Sequence, residues 1–404
     1  MTHQPRWWPL FLTNFLGVLN DNYLKTLACF IAVAWVGLKY EAMLVSAAAA
    51  SLVLPYVLLS PLAGRWAVIF RKIQVVRVAK FVEIMIMIFA TAGFILENVW
   101  IVMSCILLMG TQSCLFSPSK YGLIRDIGGQ ENVPFGTGNM EMVSFLGMLC
   151  GTMFASFFAD TLSSWELGMT FLLVSGLGFA GSLFIKAKES PTVEDSDTVR
   201  PIKYLLGSIR EARKYRGLNS TIVALSVFWF MAAIVQMTLL VFCRRNLEMT
   251  DFQTGIVLTL AAIGTGIGCF ISGVLSKKGN RNRIVTLSGT GISILFLFIF
   301  VYPVKGPVFG LILFVTGFLC GLFKVPFDSA IIEKVPGRAL GHMLAYSNQL
   351  SFLFILAGSG AFALITGFLG TSFIFLFLAL VMGSTTLYVT FSKYLCACNL
   401  RKQT

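Results

Sequence analysis

The chain has 404 residues, 57% hydrophobic and only 12% charged, with a mean hydropathy of +0.83. Soluble domains carry about 25% charge, so these values exclude a water-soluble core and describe a polytopic membrane protein. The two histidines, His3 and His342, and nine cysteines without a C-x-x-C pair exclude a histidine-based metal centre and give no support to a zinc site or a redox motif, and no cofactor is expected.

The first apolar run starts after Arg6-Trp7-Trp8, a basic and aromatic interfacial anchor. It is too long for a signal-peptide core and has no small-residue cleavage site. About halfway along it stands Asn14-Phe-Leu-Gly-Val-Leu-Asn20-Asp21-Asn22-Tyr-Leu-Lys25. A charge near the centre of a membrane helix costs about 2.5–3.5 kcal/mol on insertion scales. Asp21 and Lys25 are four apart and share a helical face. They read either as a self-neutralising pair or as a polar patch on a translocation path.

The pattern predicts about twelve membrane helices over 8–36, 43–63, 76–97, 99–118, 134–158, 166–187, 219–243, 253–276, 284–303, 308–331, 343–366 and 370–391. Lys25 and Lys80 fall inside helices, and Lys39, Arg244, Arg245 and Lys305 in odd-numbered loops. The other 25 of the 31 basic residues are assigned to even loops and tails, which places both termini in the cytoplasm. The net charge of +13 is therefore a topological signal with some attraction to anionic lipid, and not a nucleic-acid footprint.

Between helices six and seven, Glu189-Ser-Pro-Thr-Val-Glu-Asp-Ser-Asp reads as a flexible linker. Pro201 to Gly217 follows as a basic amphipathic helix lying on the membrane surface, with Ile202, Leu205, Leu206 and Ile209 beside Lys203, Arg210, Arg213 and Lys214. The expected organisation is a six-helix bundle over 1–187, a cytoplasmic linker over 188–218 and a second bundle over 219–404. The halves look like a repeat. Leu115-Phe116-Ser-Pro118-Ser-Lys120 ends helix four, and Leu322-Phe323-Lys-Val-Pro326-Phe-Asp328 ends helix ten. Each is followed by a helix with an early Asn (Asn139, Asn348) and a Ser-Phe-Leu, starting at Ser144 and Ser351.

Two six-helix repeats joined by a linker resemble the major facilitator architecture. That superfamily's loop motif, G-x-x-x-D-R-x-G-R-K, appears as Gly64-Arg65-Trp66-Ala67-Val68-Ile69-Phe70-Arg71-Lys72. Val68 stands where the acid belongs, so the usual relay of charge from loop to helix lacks that member. The stretch Phe15-Leu-Gly-x-x-Asn20-Asp21-Asn22-x-x-Lys25 resembles the bacterial lysophospholipid transporter family of LplT type. So do Ser117-Pro118-Ser-Lys120-Tyr121-Gly122 followed by Asp126, Lys80-x-x-Glu83, and Glu141-Met-Val-Ser144-Phe145. The resemblance runs from helix one to helix eleven. It implies import of lysophosphatidylethanolamine and lysophosphatidylglycerol from the outer to the inner leaflet of the bacterial inner membrane by alternating access. It also implies reacylation there by an acyltransferase or acyl-ligase on the cytoplasmic side. A chain stopping at Thr404 would be the standalone form.

The substrate-binding candidates are Asn20, Asp21, Asn22, Lys25, Lys80, Glu83, Asn139, Glu141 and Gln236. Lys80 and Glu83 share a face three apart, either as a satisfied pair or as a phosphate-binding lysine with its positioner. Glu141 has no base at i±3 or i±4, so Lys25 and Lys80 are its expected partners. Lys120, Arg125, Asp328 and Asn348 are the gating candidates, with Lys120 and Asp328 at matching repeat positions. Charge is concentrated in the first half, where a head group would lie. An acyl chain would lie against apolar walls such as Phe228, Trp229, Phe230 and Met231. The glycines at 255, 264, 266, 268 and 273 read as close helix packing.

A transporter of another amphiphile or a drug shares this fold and charge pattern. A membrane acyltransferase does not fit, because the H-x-x-x-x-D dyad is absent: Trp8 and Ser347 stand five residues after His3 and His342. The topology predicts that a cysteine placed at Ser196 resists membrane-impermeant thiol reagents in intact cells. Ready labelling there would reverse the orientation.

Overall fold

Lipid offers no hydrogen bonds to the backbone, so an apolar chain crosses it as continuous helix. The computed structural model describes residues 7–37, 41–189, 200–277, 279–302, 304, 306–337 and 339–392. They form thirteen α-helices. These are α1 (Trp8–Val36), α2 (Glu41–Ile69), α3 (Lys72–Ile95), α4 (Val99–Gly128), α5 (Val133–Phe158), α6 (Ser164–Leu183), α7 (Pro201–Ala212), α8 (Leu218–Arg245), α9 (Asp251–Ser276), α10 (Arg281–Val301), α11 (Gly306–Lys334), α12 (Ala339–Phe368) and α13 (Phe373–Ser392). Among the described residues, eleven helices are long and apolar enough to cross a membrane. Polar residues from Asn14 to Lys25 keep α1 out of that group, although it is 29 residues long. The amphipathic segment forms α7. His3, Arg6, Ser196 and the acidic stretch from 190 to 199 lie outside the described residues.

One of the expected helix ends is corrected. Pro118 does not end α4, which runs on to Gly128; Pro326 lies inside α11, within the span expected for it. A proline forfeits one backbone hydrogen bond. Ending a helix there would strand several peptide groups in an apolar setting, which costs more. As a result Lys120 and Arg125 are helical; Arg77 on α3 and Lys324 on α11 are helical as well, within spans already expected, so the loops hold fewer than 25 basic residues.

The chain divides into two compact units. The first comprises Met1–Gly129, Val143–Ser208 and Pro336–Gln349, and the second Gln130–Met142, Ile209–Val335 and Leu350–Thr404. Helix α5 thus passes from the second unit to the first, and α12 from the first to the second. In the first unit α4 packs on α2 and α3, and α6 on α1 and α3. Tyr23, Leu24, Met87, Phe94, Ile106 and Phe171 form its core. The Tyr23 hydroxyl lies 2.8 Å from that of Thr170, so even this buried phenol has a partner.

The 64–72 motif keeps an ion pair despite Val68: Lys72, the first residue of α3, bonds Asp126 on α4. The side chain of Arg71 does not cap α3. Glu189 does so instead, accepting from the amides of Lys72 (2.5 Å) and Ile73 (3.4 Å). A carboxylate at a helix N-terminus satisfies orphan donors and the helix dipole together.

In the second unit α9 packs against α11 through reciprocal glycines. A Cβ on Gly264 or Gly268 would lie 2.2 or 2.0 Å from the carbonyl oxygens of Phe314 and Phe318. A Cβ on Gly317 or Gly321 would meet those of Ala261 and Thr265 at 2.1 and 2.3 Å. Small residues four apart let two backbones touch, and where lipid competes equally for apolar side chains such packing binds the helices. Gly255 opens onto free space. Gly268→Leu is expected to cost more than the roughly 1–3 kcal/mol of ordinary overpacking, because the clash is with backbone, whereas Gly255→Leu leaves stability near wild type. Thermal unfolding in detergent distinguishes them, and equal melting temperatures would refute the packing argument.

Candidate functional site

Helix α1 presents its polar residues in three directions. Towards α3, Asn20 Nδ2 donates to Glu83 Oε1 at 3.1 Å, and Lys80 Nζ meets Glu83 Oε2 at 2.6 Å. Both charges are 1% exposed. A Cβ at Gly17 would lie 2.3 Å from Lys80 Nζ, so the ammonium fills the space that this glycine leaves on α1. The Phe116 ring lies 5.7 Å from Lys80 Nζ. Of the two readings of Lys80 and Glu83, this geometry favours the satisfied pair.

Towards α4, Asp21 Oδ2 accepts from Ser113 Oγ at 2.8 Å. Ser113 also lies 3.2 Å from Gln112 Oε1, and Gln112 donates to the Ala79 carbonyl at 3.0 Å. Asp21 Oδ1 and Asn20 Oδ1 are buried without a hydrogen bond. One turn further on, Lys25 Nζ donates to Asn22 Oδ1 at 3.3 Å, and Asn22 Nδ2 to the Val18 carbonyl at 2.8 Å. Asp21 and Lys25 are therefore not an ion pair, although their spacing allows one. Each takes a different neighbour and retains unused bonding capacity.

In the third direction, Asn14 donates to Ser144 Oγ and accepts from Lys120 Nζ, both at 2.8 Å. Lys120 also lies over the rings of Phe116 (5.2 Å) and Tyr121 (5.3 Å). Lys120 is therefore more than a surface anchor. Arg125 is half-buried beside Asp126, and Asn348 donates to Ser117 Oγ at 2.9 Å. Ser113, Gln112 and Phe116 were missed from sequence, since small polar and aromatic residues in apolar helices carry no signal of their own.

The second unit holds a separate cluster. Lys324 Nζ bridges Glu141 Oε2 and Asp328 Oδ2, each at 2.7 Å, and lies 5.3 Å from the Trp229 ring. This corrects the expected partners of Glu141: the base comes from α11 rather than from Lys25 or Lys80. The sequence places Lys324 four residues before Asp328, but only folding brings it to α5. Asn139 bonds the Phe135 carbonyl of its own helix at 2.8 Å, and Gln236 is exposed on α8. Phe228 and Met231 are buried, Phe228 stacking on Phe323, whereas Trp229 and Phe230 are partly exposed. Four consecutive helical residues cannot line one wall. Arg281 grips Glu333 through two bonds, at 2.5 and 2.7 Å.

Helical spans, paired repeats and charges buried between helices describe a membrane carrier. Residues 10–359 match the Major Facilitator Superfamily, and the chain belongs to that family. It is a multi-pass transporter, not an enzyme. The chain is 24% identical to the lysophospholipid transporter LplT of Yersinia enterocolitica over 307 residues, covering 72% of this chain and 71% of that one. It is 25% identical to LplT of Cronobacter sakazakii, covering 69% and 68%. The fold is similar to the human organic anion transporter MFSD10 (TM-score 0.80, 14% identity, 95% and 99% covered). It is also similar to the Escherichia coli fucose:proton symporter FucP (TM-score 0.71, 13% identity, 96% and 98% covered).

Lys80→Met would leave Glu83 buried without its cation, and breaking such a pair costs about 3–5 kcal/mol in soluble proteins. The single variant should lose folded protein on size exclusion, and Lys80→Met with Glu83→Met should recover much of it. No recovery would show that Lys80 does more than neutralise Glu83.

Proposed function

We propose that the protein carries lysophospholipids, with lysophosphatidylethanolamine and lysophosphatidylglycerol as substrates, from the outer to the inner leaflet of a bacterial inner membrane by alternating access. One observation carries this reading. Asp21 Oδ1 and Asn20 Oδ1 are buried acceptors without a partner, and one turn away Lys25 bonds only an amide. An acid and a base left under-bonded at this spacing complement a zwitterionic head group, with ammonium on Asp21 and phosphate on Lys25. Lys80 is already spent on Glu83, which narrows the phosphate ligand to helix α1. The similarity to LplT proteins supports the substrate class. In this reading both termini and the 188–218 linker are cytoplasmic, between bundles over 1–187 and 219–404. The imported lipid is then reacylated by a cytoplasmic-side acyltransferase or acyl-ligase.

The test is flux of labelled lysophosphatidylethanolamine into proteoliposomes. Asp21→Asn with Lys25→Met should reach normal membrane levels and move the lipid near background. Near-normal flux in that variant would return α1 to a structural role. A wild-type protein that moves a different amphiphile or a drug but no lysophospholipid would establish the other transport reading.

A further inference from the structure

Helix α7 has three faces. Tyr204, Ser208 and Ala212 are buried, and the Tyr204 hydroxyl donates to the His342 carbonyl at 2.8 Å, tying α7 to the first turn of α12. About a third of a turn round, Ile202 and Leu206, one turn apart, are 77% and 56% exposed. Beside that strip stand exposed Lys203 and Arg210, with Arg213 and Arg216 just beyond the helix. Glu211, the single acid between 200 and 217, is already paired with Lys214 at 2.5 Å. The protein uses the Tyr204 face, so it leaves an apolar strip edged by unneutralised positive charge.

An apolar strip of this kind needs a partner that is apolar below and negative at its rim. We infer that α7 is a docking surface for anionic phospholipid, on the leaflet where α6 ends and α8 begins. Ile202 and Leu206 enter the acyl boundary while Lys203, Arg210 and Arg213 bind head-group phosphates. The two contacts use different faces, so α7 holds α12 and the lipid surface at once. Lipid charge then bears on the helix that carries Asn348. This site is distinct from the α1 patch and does not depend on which substrate is carried.

Hydrogen exchange on the full-length protein, in nanodiscs of phosphatidylcholine alone or with phosphatidylglycerol, tests the inference without transport. Peptides covering 200–216 should exchange at least about fivefold more slowly in the anionic discs, and raised salt should erase the difference. Lys203→Gln with Arg210→Gln and Arg213→Gln should abolish it. Tyr204→Phe, which weakens only the protein contact, should speed exchange in both lipids and preserve the difference. Equal exchange of the wild type in the two lipids would overturn the proposal. So would a difference that survives the triple substitution, or one carried by the basic segment 64–74, where α2 meets α3, in place of 200–216.

Discussion

A charge or free peptide group inside a membrane must find its partner within the protein, and this requirement organises much of the structure. Lys80 is held by Glu83 and pressed against Gly17, and Lys324 is shared by Glu141 and Asp328. The prolines at 118 and 326 stay within their helices for the same reason. The cost of leaving such groups alone is several kcal/mol, a large fraction of the margin by which proteins are folded.

Against that background, Asp21, Asn20 and Lys25 stand out. Each has one side-chain partner, yet Asp21 Oδ1 and Asn20 Oδ1 are buried without a hydrogen bond and Lys25 meets a neutral amide, not a carboxylate. In the proposed reading substrate supplies the bonds these groups lack, and that difference is what binding gains. Helix α1 also shows the cost of this arrangement, since it lacks the apolarity that the other spanning helices have. Packing of its neighbours holds it instead, including the contacts of Asn14 with Ser144 and Lys120.

Packing in the second unit follows a different rule. Glycines on α9 and α11 bring backbones together, and aromatic side chains fill the space beside them. A buried charged cluster joins α5 to α11, so the start of a helix belonging in sequence to the first half is anchored in the second unit.

Hydropathy and length determined the membrane class, the spans and the amphipathic linker helix, because burial in lipid is a property of local composition. Spacing also identified the i,i+3 pair of Lys80 with Glu83, which one helix holds unaided. Motifs in α1, α3 and α4 pointed to a lysophospholipid carrier, and the superfamily they belong to matches most of the chain. Tertiary structure decided what spacing left open. It drew Asp21 away from Lys25 by offering it Ser113 of α4. It gave Glu141 a base nearly two hundred residues away in sequence, and it carried α4 past its proline. Each of these depends on which helices lie side by side, and a charge has no way to record in its own sequence neighbours which distant group will neutralise it.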